Sequence, residues 1–186
     1  AIGMAVSILI LSYVWFEFSF DRFHSKTDQI YRVTQTRNLW NTSEGTTDLG
    51  STGTGLAMAL KEEMPEIIHI ARCANFGNET EIEVQYKEKK FNVKSWDFLV
   101  ADNDIFNLFD IELIYGDQET ALLDPNSVVI TLEESKNIFG DVNPMGKSIS
   151  YHYVGNERIF QLNVTGVAKA LPINSHFNFK YLIPYR

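Results

Sequence analysis

The sequence contains one cysteine, Cys73, in 186 residues. An internal disulfide is therefore excluded, and cysteine usage says nothing about the redox compartment. Positive charge is also scarce: 16 Lys and Arg stand against 24 Asp and Glu, a net charge of −8. Phosphate backbones are held by clustered cations, and no basic stripe exists here, which argues against a nucleic-acid partner. The densest cluster, Lys87 to Lys90, reads as a hairpin turn. Several chemical signatures are missing as well. There is no GxxxxGK[ST] phosphate loop, no HxxxH or CxxC pair and no GxSxG elbow, so nothing indicates an ATPase, a metal centre or a serine hydrolase.

Charge is missing altogether from residues 1–16, AIGMAVSILILSYVWF; Glu17 is the first ionisable side chain after them. At about 1.5 Å per residue this run spans about 24 Å, short of the roughly 30 Å of bilayer hydrocarbon. It starts without an initiator Met, and we read it as the outer part of a truncated transmembrane helix. Tyr13, Trp15 and Phe16 gather at one end, where an interfacial aromatic belt would sit. A buried core helix is the competing reading of a run this short. A signal peptide is disfavoured by the absence of a basic start and a small-residue cleavage site. Few Lys and Arg follow the run, which fits a domain on the non-cytoplasmic side.

Beyond it the chain alternates short strands and helices. DQIYRVTQT reads as a strand with Tyr31 and Val33 on one face, and residues 41–55 as a turn-rich loop. Leu56, Ala59, Leu60 and Met64 form a helical stripe stopped by Pro65. IIHIARCANF is a strand. Residues 79–94 read as a hairpin turning at Glu88 and Lys89, with Ile82, Val84, Phe91 and Val93 inward and a carboxylate row, Glu79, Glu81 and Glu83, outward. Asp102 or Asn103 caps a short helix ending near Phe109. DIELIYG and SVVIT are strands. Thr131, Glu134 and Gly140 mark a helix with a capping box and a glycine stop. SISYHYV and RIFQLNVTGV form a second hairpin around Gly155 and Asn156, and HFNFKYLIPY is the last strand.

Residues that could carry chemistry have simpler explanations. Gly50 to Gly55 precede a helix, where backbone amides can hold an anion, but without a lysine a loop is the better reading. Asp102 to Asp104 open like a calcium loop but lack its glycine and closing glutamate. His24, His69, His152 and His176 are scattered; His69 reads as a core or edge histidine and His152 as exposed. Cys73 reads as a buried structural cysteine. The glutamate row reads as a solvated face that discourages edge pairing. NTS, NET and NVT match the glycosylation sequon by a pattern short enough to arise by chance. No catalytic, cofactor-binding or metal-binding residue is assigned, and no cofactor is expected.

The succession of short motifs is more specific than any one of them. The apolar run leads into FSFDRFH, then IYRV, LKEEMPE and FNLF. PNSVVIT, FGD, NPMGK, VTGV and NSHFNF follow. In order and spacing this resembles the extracytoplasmic domain of FtsX-like ABC transporter permeases, in particular the periplasmic core domain of MacB-type permeases, over essentially the whole chain. Only the loop around GSTGTG matches nothing in the family. The resemblance implies a permease with four membrane helices and a large domain between the first two, sited in a bacterial inner membrane and facing the periplasm. It implies as partners a cytoplasmic ABC ATPase subunit, a second permease chain and a periplasmic adaptor or cargo. The outer domain would relay conformational change and do no chemistry of its own.

We therefore expect an α+β fold of two lobes. The first, about 17–109 and 175–186, holds a mixed sheet with the Leu56 helix packed on it; the second, about 110–174, holds the remaining strands. An inserted domain should leave and re-enter the membrane on one side, so DQIYRVTQT and FNFKYLIPY are expected to be antiparallel members of the first lobe. The alternative function is the ligand-sensing outer domain of a membrane receptor such as a sensor kinase. Removal of the exposed apolar run, by starting the chain near Phe20, should raise solubility and keep cooperative unfolding. Size-exclusion chromatography and circular dichroism check this, and loss of the cooperative transition would place residues 1–16 in the core.

Overall fold

The computed structural model describes residues 2–38, 46–76 and 80–185. The apolar run forms helix α1 (Ile2–Glu17), which buries none of its residues. Among the described residues no helix is long and apolar enough to cross a membrane. Strands β1 (Gln35–Asn38) and β2 (Thr46–Leu49) make a separate antiparallel ribbon. Helix α2 (Leu56–Glu63) and strands β3 (Cys73–Asn75), β4 (Glu81–Tyr86), β5 (Lys89–Lys94) and β6 (Phe98–Ala101) follow. Then come helix α3 (Ile105–Leu108), strands β7 (Leu113–Gly116) and β8 (Ser127–Thr131), helix α4 (Leu132–Phe139), and strands β9 (Ser148–Tyr153), β10 (Phe160–Ala168) and β11 (Tyr181–Pro184).

Nine strands share one mixed sheet in the order β3-β6-β11-β8-β10-β9-β4-β5, with β7 on β10. Strand β10 is the longest because it serves three neighbours. Its first half pairs with β9, its last residues with β7, and β8 runs parallel to it on the other edge. Where β7 ends, Gly116 has φ +97° and a Cβ there would lie 2.4 Å from Thr165 O, so the close approach requires glycine.

Strands β8 and β11 are buried on both faces, which demands apolar residues at successive positions rather than alternate ones. Val128, Ile130, Tyr181 and Ile183 enter one core cluster, while Val129 and Leu182 enter the other. The first cluster also takes Ile82 and Val84 from β4, Val93 from β5, Phe98 from β6, Ile149 from β9 and Leu162 from β10. Side chains from so many strands can meet only if the sheet curls round them, and Ile138 and Phe139 of α4 pack into the same cluster. At its centre Tyr181 stacks on Phe98, ring centroids 4.5 Å apart. The second cluster is covered by Ile105 and Phe106 of α3, by Ala121 and Leu122, and by Phe179.

The α+β class is as expected; the sorting of strands is not. Strands from both halves of the sequence interleave, since β4 pairs with β9 and β11 inserts between β6 and β8. Two cores exist, but they lie on opposite faces of one sheet rather than in successive stretches of chain. The expected strand over residues 28–37 is a 3-10 turn at Thr27–Gln29, extended chain, and then β1 in the ribbon. Its antiparallel pairing with the final strand does not form, because both edges of β11 are already taken, by β6 in parallel and β8 in antiparallel register. The strand expected over 67–75 shrinks to β3. Carboxylates replace the ladder before it, Asp104 accepting from Ile70 N–H (2.9 Å) and Asp102 from Arg72 N–H (2.8 Å). Helix α2 buries no residue and does not pack on the sheet as expected.

Both hairpins form, the first with its turn one residue early, at Lys87 and Glu88, where Lys87 takes φ 54°. Helix α4 starts and stops as expected, with Thr131 Oγ1 accepting from Glu134 N–H (3.3 Å) and Gly140 at φ 68°. Only half of its capping box is made. Thr131 N–H donates instead to Lys180 O (3.1 Å), and Glu134 Oε1 accepts from Tyr181 O–H (2.8 Å). Glu134 is only 4% exposed, so its carboxylate depends on that hydroxyl. Tyr181→Phe should destabilise the fold by about 1–3 kcal/mol, the cost of leaving a buried acceptor unmatched. Urea unfolding measures it, and an unchanged midpoint would show that the bond contributes nothing.

Candidate functional site: the junction of helix and domain

After α1 the chain does not run off into an extended linker. It winds through successive turns, with Ser19 N–H donating to Phe16 O (3.0 Å), Arg22 N–H to Ser19 O (3.3 Å) and His24 N–H to Asp21 O (3.4 Å). Asp21 takes φ 55°, a left-handed conformation that aspartate tolerates better than most residues. This points its backbone and side chain at the segment leading to β11. Asp21 N–H donates to Asn174 O (3.0 Å), and Asn174 Nδ2 donates to Ser19 O (2.9 Å) and Oγ (3.0 Å). Asp21 Oδ1 accepts from His176 N–H (3.0 Å), its Oδ2 lies 2.6 Å from His176 Nδ1, and the Phe20 ring rests against that of His176.

A second set of contacts holds the next turn to the segment after α3. Asp110 accepts from Ser25 N–H and from Ser25 Oγ–H (3.1 Å), and Lys26 Nζ donates to Asn107 O (2.7 Å). Asp110 N–H donates to Nδ1 of His24 (3.1 Å). The His24 ring lies against Phe23 and Phe109, and Phe109 packs in turn on Phe177. Burial pushes the His24 imidazole below its usual pKa, against the pull of Asp21 and Asp110. Burial alone would raise the Asp21 carboxyl, but hydrogen bonds from His176 outweigh it and hold the group low. The backbone N–H of Ser25 does the same for Asp110.

FSFDRFH (18–24), FNLF (106–109) and NSHFNF (174–179), far apart in sequence, thus meet at the foot of α1. In the sequence they stand out as marks of a resemblance, and only Phe177 and Phe179 carry an expected role, as core residues of the last strand. His24 and His176 were noted merely as scattered. The signal that could have found the site was the recurrence of Phe next to Asp, Asn or His in each of the three.

The other flagged residues lie elsewhere. Gly50 O accepts from Arg32 Nη2 (2.8 Å), and Thr54 Oγ1 sits 3.4 Å from the Tyr185 hydroxyl, so the described part of the glycine loop is pinned by side chains. Residues 41–45, and with them the NTS sequon, fall outside the described residues, as do Asn78 and Glu79; Asn163 of NVT lies in β10. Helix α3 is preceded by Asp104 as its N-cap, not Asp102 or Asn103. The reason is that Asp102 is engaged by Arg72 (2.7 and 2.8 Å) and Asn103 by the backbone of residues 118, 119 and 122. His69 is half-exposed, its Nδ1 3.0 Å from Asp104 Oδ1, at the edge of the fold and not in the core. His152 is half-buried, 3.9 Å from Glu83. Cys73 is exposed, on the strand at the end of the sheet. Glu81 and Glu83 face Lys94 and Lys90 across the hairpin, on a strand interior to the sheet, so they protect no edge. Among the described residues no group of three or more His, Cys, Asp or Glu could hold a metal ion.

Residues 1–186 match the family model for the MacB-like periplasmic core domain. The chain belongs to that family. Among solved structures it is similar to a domain described as that of a permease protein from Porphyromonas gingivalis, with 22% identity and a TM-score of 0.61, covering 81% of this chain and 60% of that one. It is also similar to the extracellular domain of the noncanonic ABC-type transporter YknZ from Gram-positive bacteria, at 15% identity and TM-score 0.47, covering 64% of this chain and 58% of that one. The periplasmic region of MacB from Actinobacillus actinomycetemcomitans gives 20% identity and 0.45, covering 69% of this chain and 53% of that one. The chain thus spans between half and two thirds of these relatives. No curated protein matches it. The first of these similarities supports the fold of this MacB-like domain.

Asp21→Ala removes the acceptors for His176 and should loosen residues 19–25 locally. At about 1 kcal/mol per net hydrogen bond, amide exchange there should rise at least about fivefold, with β8 and β10 unchanged. Hydrogen-exchange mass spectrometry reads this directly; a uniform rise through the whole chain would show a global defect instead.

Proposed function

We propose that this chain is the outer domain of an ABC transporter permease, with residues 1–16 the outer part of a membrane helix and residues 17–186 the extracytoplasmic domain. It would face the periplasm of a bacterium from the inner membrane. Its role is to couple ATP hydrolysis in a separate cytoplasmic subunit to export, release or signalling outside the membrane, with no chemistry of its own. A second permease chain and a periplasmic adaptor or cargo would be its other partners. Family membership supports the class of protein, and one structural observation supports the coupling role. The turns that leave α1 are hydrogen-bonded both to the segment entering β11 and to the segment leaving α3. Displacement of the helix end would therefore pull on the segments that lead into β11 and β7 rather than on a slack tether.

Two measurements test this. Reading the gene beyond residue 186 should show three further apolar spans and no kinase domain; one span followed by a signalling module would replace the reading with a receptor. The purified domain should neither bind nor hydrolyse ATP, since it has no Walker lysine or basic phosphate pocket. Turnover that survives repurification and responds to point mutants of this chain would overturn it.

A further inference from the structure

We propose that His24 makes the foot of α1 an acid-released latch: the neutral ring fastens residues 19–26 to the domain, and a proton on the ring lets them go. His24 is 4% exposed. Its Nδ1 accepts from Asp110 N–H (3.1 Å), which requires that Nδ1 carry no proton. The single proton of the neutral ring then sits on Nε2, a buried atom with no hydrogen-bond partner among the described residues. A second proton must go to Nδ1, where it would confront the Asp110 N–H and break the one hydrogen bond the ring makes. It would also place a charge among the rings of Phe23 and Phe109.

The groups facing the ring do not reverse this. On its own segment Asp21 attracts the protonated ring, and on the other side Asp110 does the same; burial outweighs both. Lys26 is directed to Asn107 O, and His176 faces Asp21 rather than His24. The sign follows from linkage. The docked ring has a lowered pKa, while a released, solvated histidine titrates near about 6.5. Below that value the released form binds more protons, so docking weakens as pH falls and is fully retained above it. Asp21 and Asp110 are also held low, so their contribution fails only below about 4. Neither carboxylate therefore accounts for a loss of docking between pH 6.5 and 5, the window in which His24 acts. One proton limits the response to about tenfold per pH unit.

As a regulator of coupling the latch rests on the proposed function; as a property of the junction it does not, so the test reads the junction alone. Hydrogen exchange of the whole chain in detergent, corrected for intrinsic rates, is compared at pH 7.5 and 5.5. Residues 19–26 and 107–110 should exchange several-fold faster at the lower pH, with β8 and β10 unchanged. His24→Asn keeps an acceptor near the Nδ1 position but cannot titrate, and should abolish the response, whereas His176→Gln should keep it. If His24→Asn does not fold, the imidazole 15N shifts of the wild-type protein decide. A ring protonated at Nε2 at neutral pH and titrating below 6.5 supports the latch; the other tautomer, or a higher pKa, overturns it. An acid response that survives in His24→Asn, or one steeper than a single proton allows, also overturns it. Neither result would bear on whether the chain belongs to a transporter.

Discussion

Everything in this domain hangs on two short strands that are buried on both faces. Val128, Val129 and Ile130 of β8 and Tyr181, Leu182 and Ile183 of β11 send side chains into both cores at once. Neither strand can shift by one residue without exchanging its two faces, so the pair sets the register for the strands around it. Their lateral pairing leaves no free edge. That pairing keeps the N-terminal segment from joining β11, and the segment is held to the domain by other means.

Those means are polar and local. The core is held by buried apolar area, worth on the order of 1.5–3 kcal/mol for each large side chain. The junction below α1 is held by hydrogen bonds to Asp21, Asp110 and Asn174 and by a few aromatic contacts. The two kinds of attachment differ in how they fail. Packing is lost cooperatively, whereas partly exposed carboxylates and a histidine respond to pH and can open without unfolding the sheet.

The legible parts of the fold were those whose signal is local. The alternation of Ile82 and Val84 against Glu81 and Glu83 gave β4 and its hairpin. Thr131 and Gly140 gave the ends of α4. The unbroken run SVVIT fits a strand covered on both sides. The order of weak motifs led to the family that the whole-chain match supports. Misreadings came where a side chain replaced a backbone partner. Asp102 and Asp104 hold Arg72 and Ile70 in place of a ladder, and the alternation at Ile30 to Val33 leads into extended chain that joins no strand. Of the junction, FSFDRFH and NSHFNF were visible as words, but nothing in either names the other as its partner.

The sequence by itself determined the α+β character, the apolar helix at the start, the hairpins and the family, because each depends on periodicity, turn chemistry or motif order within a window of the chain. Tertiary structure alone decided which strands are neighbours, that two cores lie back to back across one sheet, and that Asp21 meets His176 and His24 meets Asp110. Those contacts join residues about 85 and 155 positions apart. Closing loops of such length has an entropy cost that depends only weakly on which residues are joined. Partners at that distance are therefore selected by the packing of the whole domain and not by any pattern in the sequence between them.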